Sequence, residues 1–279
     1  EPLAAIAKVH ETKGDWEEVI RIKSRRLDVA SGDERVDLLV EIGEVCASKL
    51  NDRTRAAKSF ATALEERPED RKLLTRLMQV YSENKDWQKL VEIVLKLADF
   101  VDDKKQKAKY IHTAAMVTSQ QMNEPDKALE FLDKVLELDP SNDKALDEAL
   151  KLRRDKEDFE GVEKMLKVRL ERATERSDRD TILKTFDELG ELYHKKLNLM
   201  NEAVDAYEAA QMLDPENPPR NELLASMYAS NPAQYLDKAV VAHRALMRQN
   251  ASRAESYKLL RKLYTEAKRA DGAWCMCRR

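Results

Sequence analysis

The side chains with the best claim to chemistry are four histidines, three cysteines and an aromatic residue that recurs beside an aspartate. His10, His112, His194 and His243 lie in four separate stretches, each at helical spacing from apolar neighbours. A catalytic or metal-bound histidine needs convergent partners. The chain has no His-Glu-x-x-His motif, no glycine-rich phosphate loop and no serine elbow. Packing or groove-lining roles are therefore expected for all four. Cys275-Met-Cys277 has the composition of a metal pair. Two residues two apart on a helix point to different faces, however, and need further ligands to hold one ion. Cys275, beside Trp274, is expected in a core or an interface. The expectation is a chain without cofactor, metal or small-molecule substrate, and not an enzyme.

The recurrent aromatic leads to the elements that position it. Asp15-Trp16, Asp86-Trp87 and Asp158-Phe159 stand 71 and 72 residues apart. An Asp before an apolar-periodic stretch suits a helix N-cap, and the aromatic after it can wedge between paired helices. Recurrence at a fixed interval argues for the same packing role each time rather than a ligand-stacking platform.

Between these units lie three segments that align without gaps. Each starts from a small residue, Gly43, Ala115 or Gly190, followed thirteen positions on by Ala56, Ala128 or Ala203. Phe60, Leu132 or Tyr207 comes next, then Ala63, Val135 or Ala210, and finally Pro68, Pro140 or Pro215. Steps of four and three place these side chains on one helical face, the small residue admits a close neighbour, and the proline ends the helix. The superperiod near 72 is thus two helical hairpins. Hairpins are expected near 2–30, 33–67, 69–101, 103–138, 141–175, 178–213 and 217–249, with an eighth beginning at Ala251 and its second helix opening near Asp271.

Composition agrees with an all-α chain. Of 279 residues 37% are charged, and only 6 are Gly and 8 Pro. Alternating apolar strands are absent from the sequence. Balanced charge, 50 basic against 53 acidic residues, supplies no general field for a polyanion, so nucleic acid is not the expected partner. From Arg248 onward nine basic residues face three acidic ones. That end is read as a solvated helix face whose compensating charges lie beyond the sequence, although a basic end could also meet an acidic partner, a membrane surface or nucleic acid. No apolar run reaches the length needed to span a bilayer. Three cysteines form no disulfide framework, which suits a reducing, cytoplasmic setting. The start, Glu-Pro-Leu-Ala-Ala-Ile, carries no signal peptide, and the sequence reads as an internal piece of a longer protein, residues 1–279 forming a single array.

Gly190, Tyr193, Ala203, Tyr207, Ala210 and Pro215 together resemble the tetratricopeptide repeat, with one extra residue in the turn between the two helices of the Gly43, Ala115 and Gly190 units. The resemblance spans nearly the whole chain. It implies a right-handed superhelical α-solenoid of seven to eight antiparallel hairpins, whose first helices line a concave groove. It also implies a protein-interaction scaffold that binds a partner protein or peptide there. On the middle first helices the inner face is expected to present Lys72, Thr75, Gln79, Lys109, His112, Met116, Gln120, Lys144, Asp147, Lys151, Arg154, Lys184, Asp187, Glu191 and His194. Several of these are basic or polar, so a partner segment with acidic and apolar residues is expected. Some family members grip a chaperone's C-terminal carboxylate with Lys and Asn. The matching positions here, Val40 and Glu44, His112 and Met116, Asp187 and Glu191, form no such clamp. Two alternatives stand beside the scaffold: a helical-repeat nucleic-acid binder, or the regulatory arm of an enzyme whose catalytic domain lies outside this sequence. Stacked hairpins bury their apolar faces on their neighbours, so Leu259, Leu263 and Trp274 at an array end are expected to drive end-to-end self-association.

Overall fold

The computed structural model describes residues 2–250 and 253–277. It consists of two compact units, residues 1–152 and 153–279. Among the described residues there are sixteen α-helices and no strand. The first unit contains the helix pairs α1 (Pro2–Lys13) and α2 (Trp16–Leu27), α3 (Gly32–Ser48) and α4 (Arg53–Glu66), α5 (Arg71–Asn84) and α6 (Trp87–Asp99), and α7 (Lys104–Gln120) and α8 (Pro125–Leu138). The boundary between the units falls within α9 (Asp143–Asp155). The second unit contains α10 (Phe159–Glu175), then α11 (Arg179–Leu192) with α12 (Met200–Leu213), α13 (Pro218–Ser230) with α14 (Pro232–Gln249), and α15 (Ala254–Glu266) with α16 (Ala270–Cys277). Outer helix boundaries fall within three residues of those read from the apolar period. The side chains of Trp274, Cys275 and Cys277, and with them the readings made of those residues, lie outside the described residues.

Local chemistry explains where the helices begin and end. The carboxylates of Asp52, Asp70, Asp103, Asp158 and Asp178 accept backbone N–H groups of the first turns of α4, α5, α7, α10 and α11. Asp15 and Asp86 occupy the same position before α2 and α6 but make no such bond. Instead Asp15 meets the His10 ring at 3.3 Å and Asp86 meets Lys89 at 3.0 Å. Pro68, Pro140 and Pro215 follow α4, α8 and α12 within two residues, as a helix stop should.

The extra turn residue has one structural solution, used three times. Asp52, Glu124 and Leu199 each donate their amide to the carbonyl six residues back, on Cys46, Thr118 and Tyr193, at 2.9, 3.1 and 2.9 Å. The preceding residues, Asn51, Asn123 and Asn198, are left-handed at φ 53°, 55° and 55°. Asn tolerates that conformation better than other side chains with a Cβ. After α11 the last turn, Tyr193–Leu197, widens into a π-helical segment.

Close approach across each consensus hairpin explains the small residues. A Cβ on Gly43 would lie 2.6 Å from the ring of Phe60, and one on Gly190 would lie 2.7 Å from Tyr207. The third unit has Ala115, and opposite it the smaller Leu132. Phe60, Leu132, Ala56, Ala128, Ala203 and Ala210 are all buried, so the spacing first seen in sequence is the core spacing.

A few polar groups are buried with their partners. Lys23 spans α1 to α3, donating to Glu41 at 2.7 Å and lying 3.2 Å from Glu11. Burial opposes its charge, but the two carboxylates outweigh that and raise its pKa. Cys46 is fully buried, and burial pushes its thiol up. His243 lies between Ser256 Oγ on α15 and the Ala225 carbonyl on α13, each 3.2 Å away. The carbonyl can only accept, so Nε2 donates to it, and Nδ1 accepts from the hydroxyl.

That arrangement holds a neutral imidazole, and desolvation lowers its pKa. Below the ordinary histidine value of about 6.5 the unfolded chain binds a proton that the folded chain refuses. The stability of the second unit should therefore fall as pH drops below about 6.5, with a slope of at most about 1.4 kcal/mol per pH unit from this one group. Urea titrations of wild type and His243→Gln between pH 7.5 and 5.5 check this. A slope unchanged by the substitution would assign the acid sensitivity elsewhere.

Candidate partner-binding groove

In the first unit α5 and α7 flank a cavity of about 670 Å³ whose floor is α6. The 3.6-residue period builds its walls. Thr75, Met78, Gln79 and Ser82 come from α5; Thr113, Met116, Val117 and Gln120 come from α7; Trp87, Leu90 and Val94 come from α6. The floor is apolar and the lips carry hydroxyls and amides. Glu83 is the one carboxylate in the lining, and it is held by Gln79 at 3.0 Å and Arg53 at 3.1 Å, which keep its pKa low. Across α5, a second hollow of about 370 Å³ shares Gln79 and Glu83 and reaches Glu44, Ser48 and Arg76. The first-helix face thus presents hollows on both sides of α5.

The second unit repeats the cavity with different chemistry. Phe159, Val162 and Leu166 stand 72 positions after Trp87, Leu90 and Val94, and Glu188, Glu191 and Lys195 stand 75 after Thr113, Met116 and Gln120. These side chains, with Arg154 and Lys196, enclose about 330 Å³. Here the lips are charged and mutually engaged. Arg154 bonds Glu188 at 2.5 Å, Lys195 bonds Glu191 at 2.7 Å, and the Lys196 ammonium sits 5.1 Å from the centre of the Phe159 ring. The equivalent contact in the first unit is Lys49 over Trp16 at 5.2 Å. All three recurrent aromatics are half-buried. They pack against the end of the next first helix, and Trp87 and Phe159 also face a hollow. Sequence reasoning expected core there; the open side has no sequence signature, because it depends on how far the next helix stands away.

The residues expected on the inner face divide into three groups. Gln79 and Met116, with Thr75 and Gln120, line the larger cavity, and Arg154 and Glu191 line the smaller. Lys72, Lys109, Lys144, Asp147, Lys151 and Lys184 are exposed on the corresponding stripes of their own helices. His112, Asp187 and His194 line neither of these two cavities. Thr113, Glu188 and Lys195 hold the lining positions, while His112 and Asp187 turn toward the next first helix and pair with it. His112 Nε2 lies 2.7 Å from Glu148 on α9. Asp187 takes both arms of Arg220 on α13, at 2.8 and 2.6 Å. His194 falls in the π-helical turn, half-buried.

Other features bear on what the chain can do. Among the described residues no group of three or more His, Cys, Asp or Glu is placed to hold a metal ion. No described helix is long and apolar enough to cross a membrane. The basic C-terminal stretch is compensated partly from within the second unit: Arg253 pairs with Glu222 and Arg269 with Asp237, both from the preceding hairpin.

Comparison with known proteins follows the same hairpins. Among curated proteins none matches the chain. Its fold is similar to the crystal structure of MamA at 18% identity, covering 62% of this chain and 97% of that one with a TM-score of 0.36. It is also similar to a tetratricopeptide repeat protein from Parabacteroides merdae ATCC 43184 at 15% identity, covering 95% and 98% with a TM-score of 0.37. A third similar structure is that of Naa15/Naa10 bound to HypK-THB, at 15% identity, covering 93% and 45% with a TM-score of 0.46. The family model for the tetratricopeptide repeat matches residues 111–142 and 183–217. These are the α7–α8 and α11–α12 hairpins, where small residue, alanine, aromatic or leucine, and proline hold the helix pair together. Those two hairpins are tetratricopeptide repeats, set in an all-helical chain of consecutive packed pairs.

Proposed function

We propose that the chain is a protein-interaction scaffold that holds a segment of a partner protein against its first helices, centred on the cavity between α5 and α7. The observation that supports this is the cavity itself. About 670 Å³ of mostly apolar space, opening between lips of hydroxyl and amide groups, suits a peptide whose side chains fill the floor while its backbone meets Gln79, Gln120 and Thr113. A compact domain has no packing reason to leave Trp87, Met78 and Met116 half-covered around a hollow.

Site-specific photocrosslinking tests the reading. A benzoylphenylalanine at Thr113, on the lip, is expected to crosslink a discrete partner in native lysate, and Met116→Glu should reduce that crosslink by about tenfold or more. The same probe at Glu92, on the opposite side of α6, should give no such product. Equal crosslinking from Glu92, or indifference to Met116→Glu, would remove the groove from consideration. Lys151→Glu is a clean charge probe of the same face, whereas Arg154→Glu also breaks a contact to Glu188 and so reports on the fold as well.

A further inference from the structure

Lysine recurs at one register of four successive first helices. Lys72 on α5 and Lys109 on α7 stand one turn before Thr75 and Thr113, which line the cavity, while Lys144 on α9 stands 72 positions after Lys72 and Lys184 on α11 stands 75 after Lys109. Asp37 holds the matching register on α3, so the run is confined to the middle of the chain. All four lysines are exposed. Among the described residues Lys72, Lys109 and Lys144 form no ion pair with a carboxylate, whereas the charge of Lys184, after the bonds from Thr181, helps to lower the pKa of Asp178. Several arginines and Lys107 of the first unit are paired, Arg76 with Glu44, Arg53 with Glu83, Lys107 with Asp99 and Arg67 with Asp33, so what sets Lys72, Lys109 and Lys144 apart from other exposed lysines is their shared register beside the cavity. A chain with more acidic than basic residues has carboxylates enough to neutralise these lysines, and leaves them open.

Resting on the groove reading above, we infer that the bound segment is acidic along one edge and apolar along its middle. Its carboxylates meet Lys72, Lys109 and Lys144, and its apolar side chains enter the α5–α7 cavity. Along the stripe the surface runs from lysine, through Met78, Met116 and Trp87, to Ser82, Gln120 and Gln121, where the one carboxylate, Glu83, is neutralised by Arg53. A complementary segment carries the reverse order, carboxylate, then Leu, Met or Phe, then neutral polar groups. The lysines set orientation and association rate, and the cavity holds the segment once it is seated.

Selection from a random 16-residue peptide library on the immobilised chain tests this without knowledge of the natural partner. The wild type should enrich peptides that combine Asp or Glu with Leu, Met or Phe. On the triple variant Lys72→Glu, Lys109→Glu, Lys144→Glu, whose exposed positions leave folding intact by circular dichroism, those peptides should bind about tenfold or more weaker, and a fresh selection should shift to basic sequences. Selected peptides that are neutral or basic, or acidic ones that bind the triple variant unchanged, would overturn the acidic assignment while leaving the groove in place if Met116→Glu still abolishes them. Peptides indifferent to Met116→Glu, or no enrichment at all, would overturn both. A mixed-sequence single-stranded oligonucleotide that displaced the peptide at 150 mM salt would assign the lysines to a polyanion instead and overturn the peptide reading.

Discussion

Asp187→Ala should unfold the second unit at a urea concentration well below that of wild type, with a loss of about 3 kcal/mol. Its partner, Arg220, is the reason. The guanidinium is 4% exposed, joined to Asp187 through two bonds and to the Asp214 carbonyl at 2.9 Å, with the Ala210 carbonyl at 3.4 Å. It therefore ties α11 to the end of α12 and the start of α13, and the bond to Asp187 keeps its pKa raised despite burial. Removing the carboxylate leaves a buried cation with two carbonyls and the more distant Asp214 carboxylate, 3.5 Å away, as its remaining partners. Such losses run to about 3–5 kcal/mol, and the lower figure applies because the Asp187 side chain is 40% exposed and water can partly replace it. Arg220→Met in the Asp187→Ala background should recover most of the loss, because the uncompensated charge goes with the guanidinium. Equal stability of wild type and Asp187→Ala would mean that the pair is worth no more than a surface contact. The same variant bears on function: any loss of binding by Asp187→Ala is to be read first as a loss of fold.

Gly43→Val should cost about 3 kcal/mol in the first unit, and Gly43→Ala less, about 1 kcal/mol. The Phe60 ring that a Cβ would strike is 1% exposed and borders the hollow beside α5, so either the ring shifts toward that hollow or α3 and α4 separate. Alanine regains up to about 1 kcal/mol of helix propensity over glycine, which offsets part of the clash; valine, β-branched, regains little. The decisive comparison is a double-mutant cycle. Phe60→Leu alone opens a cavity and should cost about 1 kcal/mol or more. Gly43→Ala added to it should cost nothing further, because that pair recreates Ala115 opposite Leu132 as found in the α7–α8 hairpin. Additive losses would show that the two sites are independent and that the small residue is there for another reason.

The chain's repeat, the type and boundaries of its helices and its small-to-large core pairs were legible from spacing alone. Side chains three and four apart share a face in any helix, proline lacks the N–H a helix interior needs, and a hairpin this short has one way to bury its stripe. Asp52, Asp158 and Asp178 cap as their position before an apolar stretch suggests, since capping is a contact with the next three residues.

What spacing could not supply depends on distances between helices that are far apart in sequence. His112 and Asp187 belong to the groove stripe by count and to the next hairpin by contact. The openness beside Trp87 depends on where α7 stands, about thirty residues later. The charge of each cavity differs between the two units although their apolar floors repeat, because lip residues are free of the packing that holds the floor constant. Sequence determined the local chemistry of each hairpin, and the tertiary structure alone decided which polar side chains meet one another and which, like Lys72, Lys109 and Lys144, are left without a partner.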